Sequence, residues 1–139
     1  MIIMSVDYGD VRTGVAVCDK NEMLASPVKV ITETDRDVLS DDIATEAVRL
    51  KAEMIVVGLP KNMDGSEGFR AEACREFASL IEEKTGIDVA LYDERLTTVS
   101  AHNALNVTNT RGKKRKSVID AVSAVMILED YMRYRRNSV

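Results

Sequence analysis

The sequence has few of the side chains from which zinc sites and base-stacking surfaces are built. It contains one histidine, two cysteines and no tryptophan, and aromatic residues make up 4% of its 139 positions. Cys18 and Cys74 show no metal-ligand spacing, and the lone His102 is given no role, which argues against a zinc site. The scarcity of aromatic residues speaks against a surface that stacks single-stranded bases, and it leaves the core to aliphatic side chains.

Two further absences concern membranes and secretion. No segment approaches the roughly 20 apolar residues that cross a bilayer, and no basic-then-apolar leader opens the chain. Both cysteines lie in apolar patterns, which favours buried thiols in a reducing compartment. We therefore expect a single domain over 1–139, located in the cytoplasm and without a membrane partner.

The charged residues are unevenly distributed. The net charge is −4, yet residues 111–116 hold five cations and residues 133–136 hold three of the 19 basic residues. The segment 33–46 is acidic by contrast. Such asymmetry fits a basic face that meets phosphates, and the alternative is a solvated loop with a frayed tail.

Hydrophobic patterning predicts an α/β protein. Three strands come first, at 2–8, 12–19 and 23–32, and the first two form an antiparallel hairpin. Helix and strand units follow. The predicted helices cover about 35–52, 69–85, 97–105 and 118–134, the later strands cover 54–60 and 88–94, and a mobile basic connection covers 106–117.

These elements predict a mixed five-stranded sheet of order 3-2-1-4-5, with strand 2 antiparallel and helices on both faces. Pro27 places strand 3 at an edge, where a missing amide donor matters least. Right-handed crossovers place the fourth strand beside the first, which creates a switch point where ligands bind at the carboxyl ends. Asp7 stands at the carboxyl end of the first strand, so the site is expected there.

Three acids are candidates for a shared site at this switch point. Asp7, Glu94 and Asp120 would supply oxygen ligands only, which suits Mg²⁺ or Mn²⁺. Two such ions can activate water and stabilise the leaving oxygen of a phosphodiester. Asp93 and Asp64 are nearby acids that could share the site.

Each of the three acids also has a structural interpretation. Asp120 could complete a capping box with Ser117 at the start of the last helix. Glu94 could form a surface ion pair with Arg95, and Asp7 could close an Asx turn. For each acid considered alone, the sequence does not decide between a metal ligand and a structural role.

The loop after the fourth strand, residues 61–68, is rich in glycine and small polar side chains. It could turn backbone amides toward a phosphate, and it leads to Arg70. The alternative is a polar loop that only caps the next helix.

Several blocks resemble a known family. The segments "DYG", "RTGVAVCD", "IVVGLPKNMDGSEGFRA", "DERLTT" and "KRKSVIDAVSAVMIL" are similar, in this order, to the YqgF/RuvX family of bacterial nucleases. The resemblance covers nearly the whole chain. It implies a ribonuclease H-like fold, and an activity either in maturing the 5′ end of pre-16S rRNA or in resolving Holliday junctions.

The resemblance also implies site residues. The family's acids correspond to Asp7, Glu94 and Asp120, here expected to be both catalytic and metal-binding. Family members often have Thr and Lys after the first glycine, whereas this chain has Asp10 and Val11, which adds an unpaired charge near the metals.

The resulting hypothesis is a two-metal nuclease whose partner is pre-rRNA or branched DNA, with ribosomal precursor particles as a further partner. Residues expected to contact the substrate are Gly9, Arg70, Arg95, Lys113, Lys114, Arg115 and Lys116. The rival functions are an actin-like phosphate-binding module and a noncatalytic RNA-binding protein. A monomer or a homodimer is compatible with the sequence.

Overall fold

The computed structural model describes residues 1–94 and 112–138, and for 112–121 it describes the backbone alone. The predicted helix 97–105 and the connection 106–111 lie outside these residues. The described elements are β1 (Ile3–Asp7), β2 (Arg12–Cys18), β3 (Ala25–Thr32), α1 (Arg36–Arg49), β4 (Met54–Leu59), α2 (Phe69–Thr85), β5 (Asp88–Asp93) and α3 (Gly112–Asn137).

The five strands form one mixed sheet in the order β3-β2-β1-β4-β5, which confirms the predicted topology. β2 is antiparallel to both of its neighbours, whereas β4 is parallel to β1 and to β5. Pro27 lies on the edge strand β3, where the register with β2 shifts between Val15 and Ala16. The bulge and the edge position together accommodate a residue that cannot donate to a ladder.

Each face of the sheet carries its own core. Alternate side chains of β1 and β4, such as Val6 and Val57, pack under α1 and α2 around Phe77. The opposite set, such as Ile3 and Val56, packs under α3. The apolar run of β4 is therefore buried on both faces, as a central strand requires.

The helix ends follow local chemistry. The carboxylate of Asp35 caps α1, because its Oδ1 accepts from the amides of Asp37 at 2.9 Å and Val38 at 3.1 Å. α1 ends at Arg49, short of the predicted residue 52, and Lys51 then takes a φ of 60°. Gly86 ends α2 with a φ of 70°, as its position in the sequence predicts.

The prediction for the start of the last helix was wrong. α3 begins at Gly112, so residues 113–117 lie in its first turns and not in a mobile connection. Ser117 is consequently an interior helix residue and cannot cap the helix, which removes the capping-box interpretation of Asp120. Within the described chain, no helix is both long and apolar enough to cross a membrane.

Candidate functional site

The proposed site lies at the carboxyl ends of β1, β4 and β5, at the predicted switch point. Asp7 is the last residue of β1, and Glu94 directly follows the last residue of β5. Ser5 Oγ donates to the Ala124 carbonyl of α3 at 2.7 Å. Because side chains alternate along a strand, Asp7 shares with Ser5 the sheet face that is covered by α3.

The Glu94 carboxyl lies on the same face of the sheet. A Cβ added to Gly58 of β4 would come within 2.5 Å of Glu94 Oε1 and within 2.7 Å of the Ile127 Cδ1 atom of α3. The carboxyl therefore occupies space that a larger residue at position 58 would fill. Glu94 is partly buried against β4, and the ion pair considered for it involves Arg95, which lies outside the described residues.

The pKa shifts of Glu94 and Cys74 report the charges around the two carboxylates. Burial raises the pKa of Glu94; Arg70 opposes this, and Asp93 adds to it. Burial raises the pKa of the Cys74 thiol to about 12, an effect that Arg70 reduces and that the negative charges of Glu94 and Asp7 increase. One thiol is thus within electrostatic range of both carboxylates, which supports their proximity.

The position of Asp120 follows from the course of α3. The helix runs antiparallel to β1 and β4, because Ala124 contacts Ser5 near the end of β1, whereas the Tyr131 hydroxyl donates to Met54 Sδ at the start of β4 at 3.6 Å. Residue 120 is one turn before Ala124 and so lies at the Asp7 end of the sheet. Its side chain is outside the described residues.

Among the residues that the structure describes, no three His, Cys, Asp or Glu side chains form a group that could hold a metal ion. The trio predicted from sequence includes one side chain beyond that description. The roles of Asp7, Glu94 and Asp120 therefore remain a proposal. Asp93, the last residue of β5, precedes Glu94 and so stands on the opposite sheet face.

Arg70 is held beside the first turn. Its Nη1 donates to Asp10 Oδ1 at 2.7 Å and its Nη2 donates to the Tyr8 carbonyl at 2.8 Å. The expectation that Asp10 adds an unpaired charge was wrong, because Arg70 neutralises it across 60 residues of sequence. The Arg70 side chain remains half exposed, so it is also accessible to a phosphate from solvent.

Gly9 has a structural reason to be glycine. A Cβ at this position would collide with the Arg12 carbonyl oxygen, and its amide donates to Thr13 Oγ1 at 3.3 Å. The close approach of the two backbone segments forms the turn that places Asp7. Contact of Gly9 with substrate remains a prediction.

Three amides of the loop over 61–68 form hydrogen bonds within the loop, and contact of its other amides with a phosphate stays a prediction. The amides of Asn62 and Gly65 donate to loop carbonyls at 2.9 Å each. The amide of Ser66 donates to Asp64 Oδ1 at 2.9 Å. These three amides are therefore engaged within the loop, and Asp64 is used to shape it.

The structure describes the other residues predicted to contact substrate only in part. Arg95 lies outside the described residues. Positions 113–116 lie in the first turns of α3, at the same end of the sheet as Asp7, and their side chains are not described. Only the backbone positions of these four residues therefore place them at the same end of the sheet as the site.

Sequence reasoning missed Gly58. Its signal was a glycine within an otherwise continuous apolar strand, "MIVVGL", which often marks a close approach of another group. The group that approaches it comes from 36 positions further along the chain, so the sequence did not reveal its identity.

Comparisons with known proteins agree with this architecture. The family model described as "RuvX: Holliday junction resolvase" matches residues 1–134. A protein of Halothermothrix orenii named "Putative pre-16S rRNA nuclease" is 43% identical over 139 residues, covering 97% of this chain and 96% of that protein. A protein of Lachnospira eligens with the same name is 43% identical over 135 residues, covering 95% and 96%.

Solved structures share the fold at low sequence identity. The Thermus thermophilus RuvC structure in complex with a Holliday junction substrate superposes with a TM-score of 0.62 at 13% identity, covering 97% of this chain and 96% of that one. The fowlpox virus Holliday junction resolvase gives a TM-score of 0.55 at 14% identity, covering 96% and 99%. With the family model and the curated relatives spanning almost all of its length, this chain belongs to the RuvX family.

Proposed function

We propose that this protein is a divalent-metal-dependent nuclease that hydrolyses phosphodiester bonds at the carboxyl end of β1, β4 and β5. The observation that carries the proposal is the placement of Asp7 and Glu94 on one sheet face, at the end of the molecule that also holds position 120 of α3. These residues come from three distant parts of the chain.

The donor set fits Mg²⁺ or Mn²⁺. Asp7 and Glu94, with Asp120, would hold the ions through carboxylate oxygens, the ligands that these hard cations prefer. The ions, when bound, would activate water and neutralise charge on the reacting phosphate. Burial raises the pKa of Glu94, and a bound cation would counteract this by favouring the ionised carboxylate that binding requires.

The protein's own residues position these groups. Gly58 leaves room for the Glu94 carboxyl, and the Gly9 turn sets the end of β1. Arg70, held by Asp10 and the Tyr8 carbonyl and half exposed, would bind a non-reacting phosphate oxygen. Cations at positions 113–116 would bind the flanking backbone electrostatically.

For the substrate we favour precursor 16S rRNA, cut during maturation of its 5′ end in the cytoplasm, free or within ribosomal precursor particles. The support is the name shared by the relatives at about 40% identity. Branched DNA is the second candidate, supported by the description of the family model. Two symmetric cuts in a junction would require a homodimer, whereas trimming an RNA end requires only a monomer.

The test compares Asp7→Asn with Asp88→Asn, which removes an exposed carboxylate from the opposite end of β5. Each protein is given a precursor rRNA fragment and a four-way junction in Mg²⁺ and in Mn²⁺. We expect Asp7→Asn to lose roughly 100-fold or more of the cleavage rate while its melting temperature is kept, and Asp88→Asn to cut normally.

The substrate that the wild-type protein cuts, precursor rRNA or the four-way junction, decides between the two candidate functions. A folded Asp7→Asn protein that cuts at the wild-type rate would disprove the proposed site. Failure of the wild type to cut either substrate in both metals, with RNA binding retained, would favour a noncatalytic RNA-binding protein. Thermal stabilisation by ATP without cleavage would favour the actin-like alternative.

A further inference from the structure

Three of the four tyrosines come together between β5 and the last turns of α3. The rings of Tyr92 and Tyr131 meet edge to face with centroids 5.8 Å apart, and Tyr134 lies 6.0 Å from Tyr92 and 6.1 Å from Tyr131. The low aromatic content of the sequence argued against a stacking surface. The fold nevertheless concentrates half of the aromatic residues at one place.

Only part of this cluster is needed for packing. Tyr131 is 7% exposed and belongs to the core under α3, whereas Tyr134 is 55% exposed. Tyr134 thus offers a ring to the solvent while Tyr131 and Tyr92 support it from within. A half-exposed aromatic ring on a rigid support is the arrangement on which nucleobases stack.

Polar groups surround the exposed ring. A groove of about 250 Å³ is lined by Tyr92, Asp130, Arg133, Tyr134, Asn137 and Ser138. Arg133 Nη1 donates to Asp130 Oδ1 at 2.8 Å, so the carboxylate is neutralised and would accept from amino groups without strongly repelling a nearby phosphate. The groove therefore combines a stacking ring with hydrogen-bonding partners for a base edge.

The groove is connected to the proposed active site by one strand. Tyr92 lies on β5, two residues before Glu94, which directly follows the strand and lies on the same sheet face. Two residues of extended chain span about 7 Å. Tyr134 lies a further 6.0 Å beyond Tyr92, measured between ring centroids. A single strand of nucleic acid whose phosphate is at Glu94 can reach this ring within a few nucleotides.

We propose that this tyrosine groove binds one nucleobase of a single-stranded part of the substrate by stacking on Tyr134, a few nucleotides from the reacting phosphate. The distance to the reacting phosphate rests on the proposed nuclease function, but the stacking itself does not. The groove would favour RNA ends and unpaired regions over continuous duplex, because a paired base cannot turn its faces to the ring.

The test measures stacking without cleavage. Short single-stranded RNAs carry 2-aminopurine at one position each, in Ca²⁺ or EDTA, and are titrated with wild type, Tyr134→Phe, Tyr134→Ala and Val48→Ala. Val48 is an exposed apolar residue on α1, on the other face of the sheet, and serves as the matched control. Melting temperatures show that each variant is folded.

We expect wild type, Tyr134→Phe and Val48→Ala to quench the fluorophore at one or two adjacent positions. Tyr134→Ala should lose that quenching and bind roughly 5- to 150-fold more weakly, which corresponds to the 1–3 kcal/mol of one stacked base. Equal quenching and affinity for Tyr134→Ala and wild type would overturn the proposal, as would the absence of any quenching by wild type. Quenching that depends on Tyr134 in a protein without nuclease activity would retain the groove and refute the nuclease.

Discussion

At the scale of single residues, the proposed site depends on Gly58 because it has no side chain to displace the Glu94 carboxyl. Glu94 Oε1 and Ile127 Cδ1 are both ends of side chains, so each can move when a methyl group is introduced. No backbone atom has to shift, but Ile127 is fully buried in the core, so the added methyl group overpacks that point. The site is affected as well, since the Glu94 carboxyl is displaced.

Gly58→Ala is accordingly expected to lower the free energy of unfolding by roughly 1–3 kcal/mol and to weaken Mn²⁺ binding by roughly 10- to 100-fold. Gly68→Ala is the control for Mn²⁺ binding, because nothing lies within 4 Å of a Cβ at that position. Gly68 is the N-cap of α2, so its variant also loses some stability, without any effect on the Glu94 carboxyl. Urea unfolding and calorimetric titration with Mn²⁺ measure the two quantities. Unchanged Mn²⁺ affinity in a folded Gly58→Ala protein would show that Glu94 needs no such space.

At the scale of elements, the first turns of α3 carry charge of the unfavourable sign. The helix has no acidic residue in its first turn, and positions 113–116 are all basic. Cations near a helix N-terminus oppose its dipole by about 0.3–1 kcal/mol each at low ionic strength. Phosphates bound at this helix start would offset the repulsion, which supports a role for these cations in binding the substrate backbone.

The double variant Lys113→Gln/Lys114→Gln should therefore bind RNA more weakly without losing thermal stability. The slope of log K against log salt concentration should shrink by about 0.7 for each phosphate contact removed from single-stranded RNA. Lys20→Gln/Lys51→Gln, which neutralises two exposed lysines elsewhere, controls for net charge. An equal change of slope in both double variants would indicate a general charge effect and no dedicated contact.

At the scale of the whole molecule, Glu22 connects the turn between β2 and β3 to the end of α3 through hydrogen bonds. Its Oε1 accepts from Arg135 Nε at 2.7 Å, and its carbonyl accepts from Arg136 Nη1 at 3.4 Å. The hydrogen bond from Arg135 is the main reason that the pKa of Glu22 is lowered, and burial opposes it. Two basic residues of the C-terminal segment are thus structural, in contrast to the frayed tail considered from sequence.

The pH dependence follows from the direction of this shift. A carboxyl whose pKa is lower in the folded state than in the unfolded state stabilises the protein above its ordinary pKa of 4.5, and this stability is lost as the pH falls through the folded value. We expect Glu22→Gln to cost about 1 kcal/mol at pH 7 and progressively less below pH 4.5. Denaturant unfolding across this range, with exposed Glu129→Gln as control, measures it; a cost that does not change with pH would contradict the assignment.

The sheet order, the edge position of β3 and the position of Asp7 at the end of β1 were predictable, because strand patterning, Pro27 and right-handed crossovers act locally or leave few alternatives. It did not determine where α3 begins, since the polar residues 112–117 carry no hydrophobic period to reveal a helix. Only the tertiary structure paired Asp10 with Arg70, set Gly58 against Glu94 and gathered the three tyrosines. These contacts join residues tens of positions apart, and such pairs are decided by how faces pack and not by any local preference.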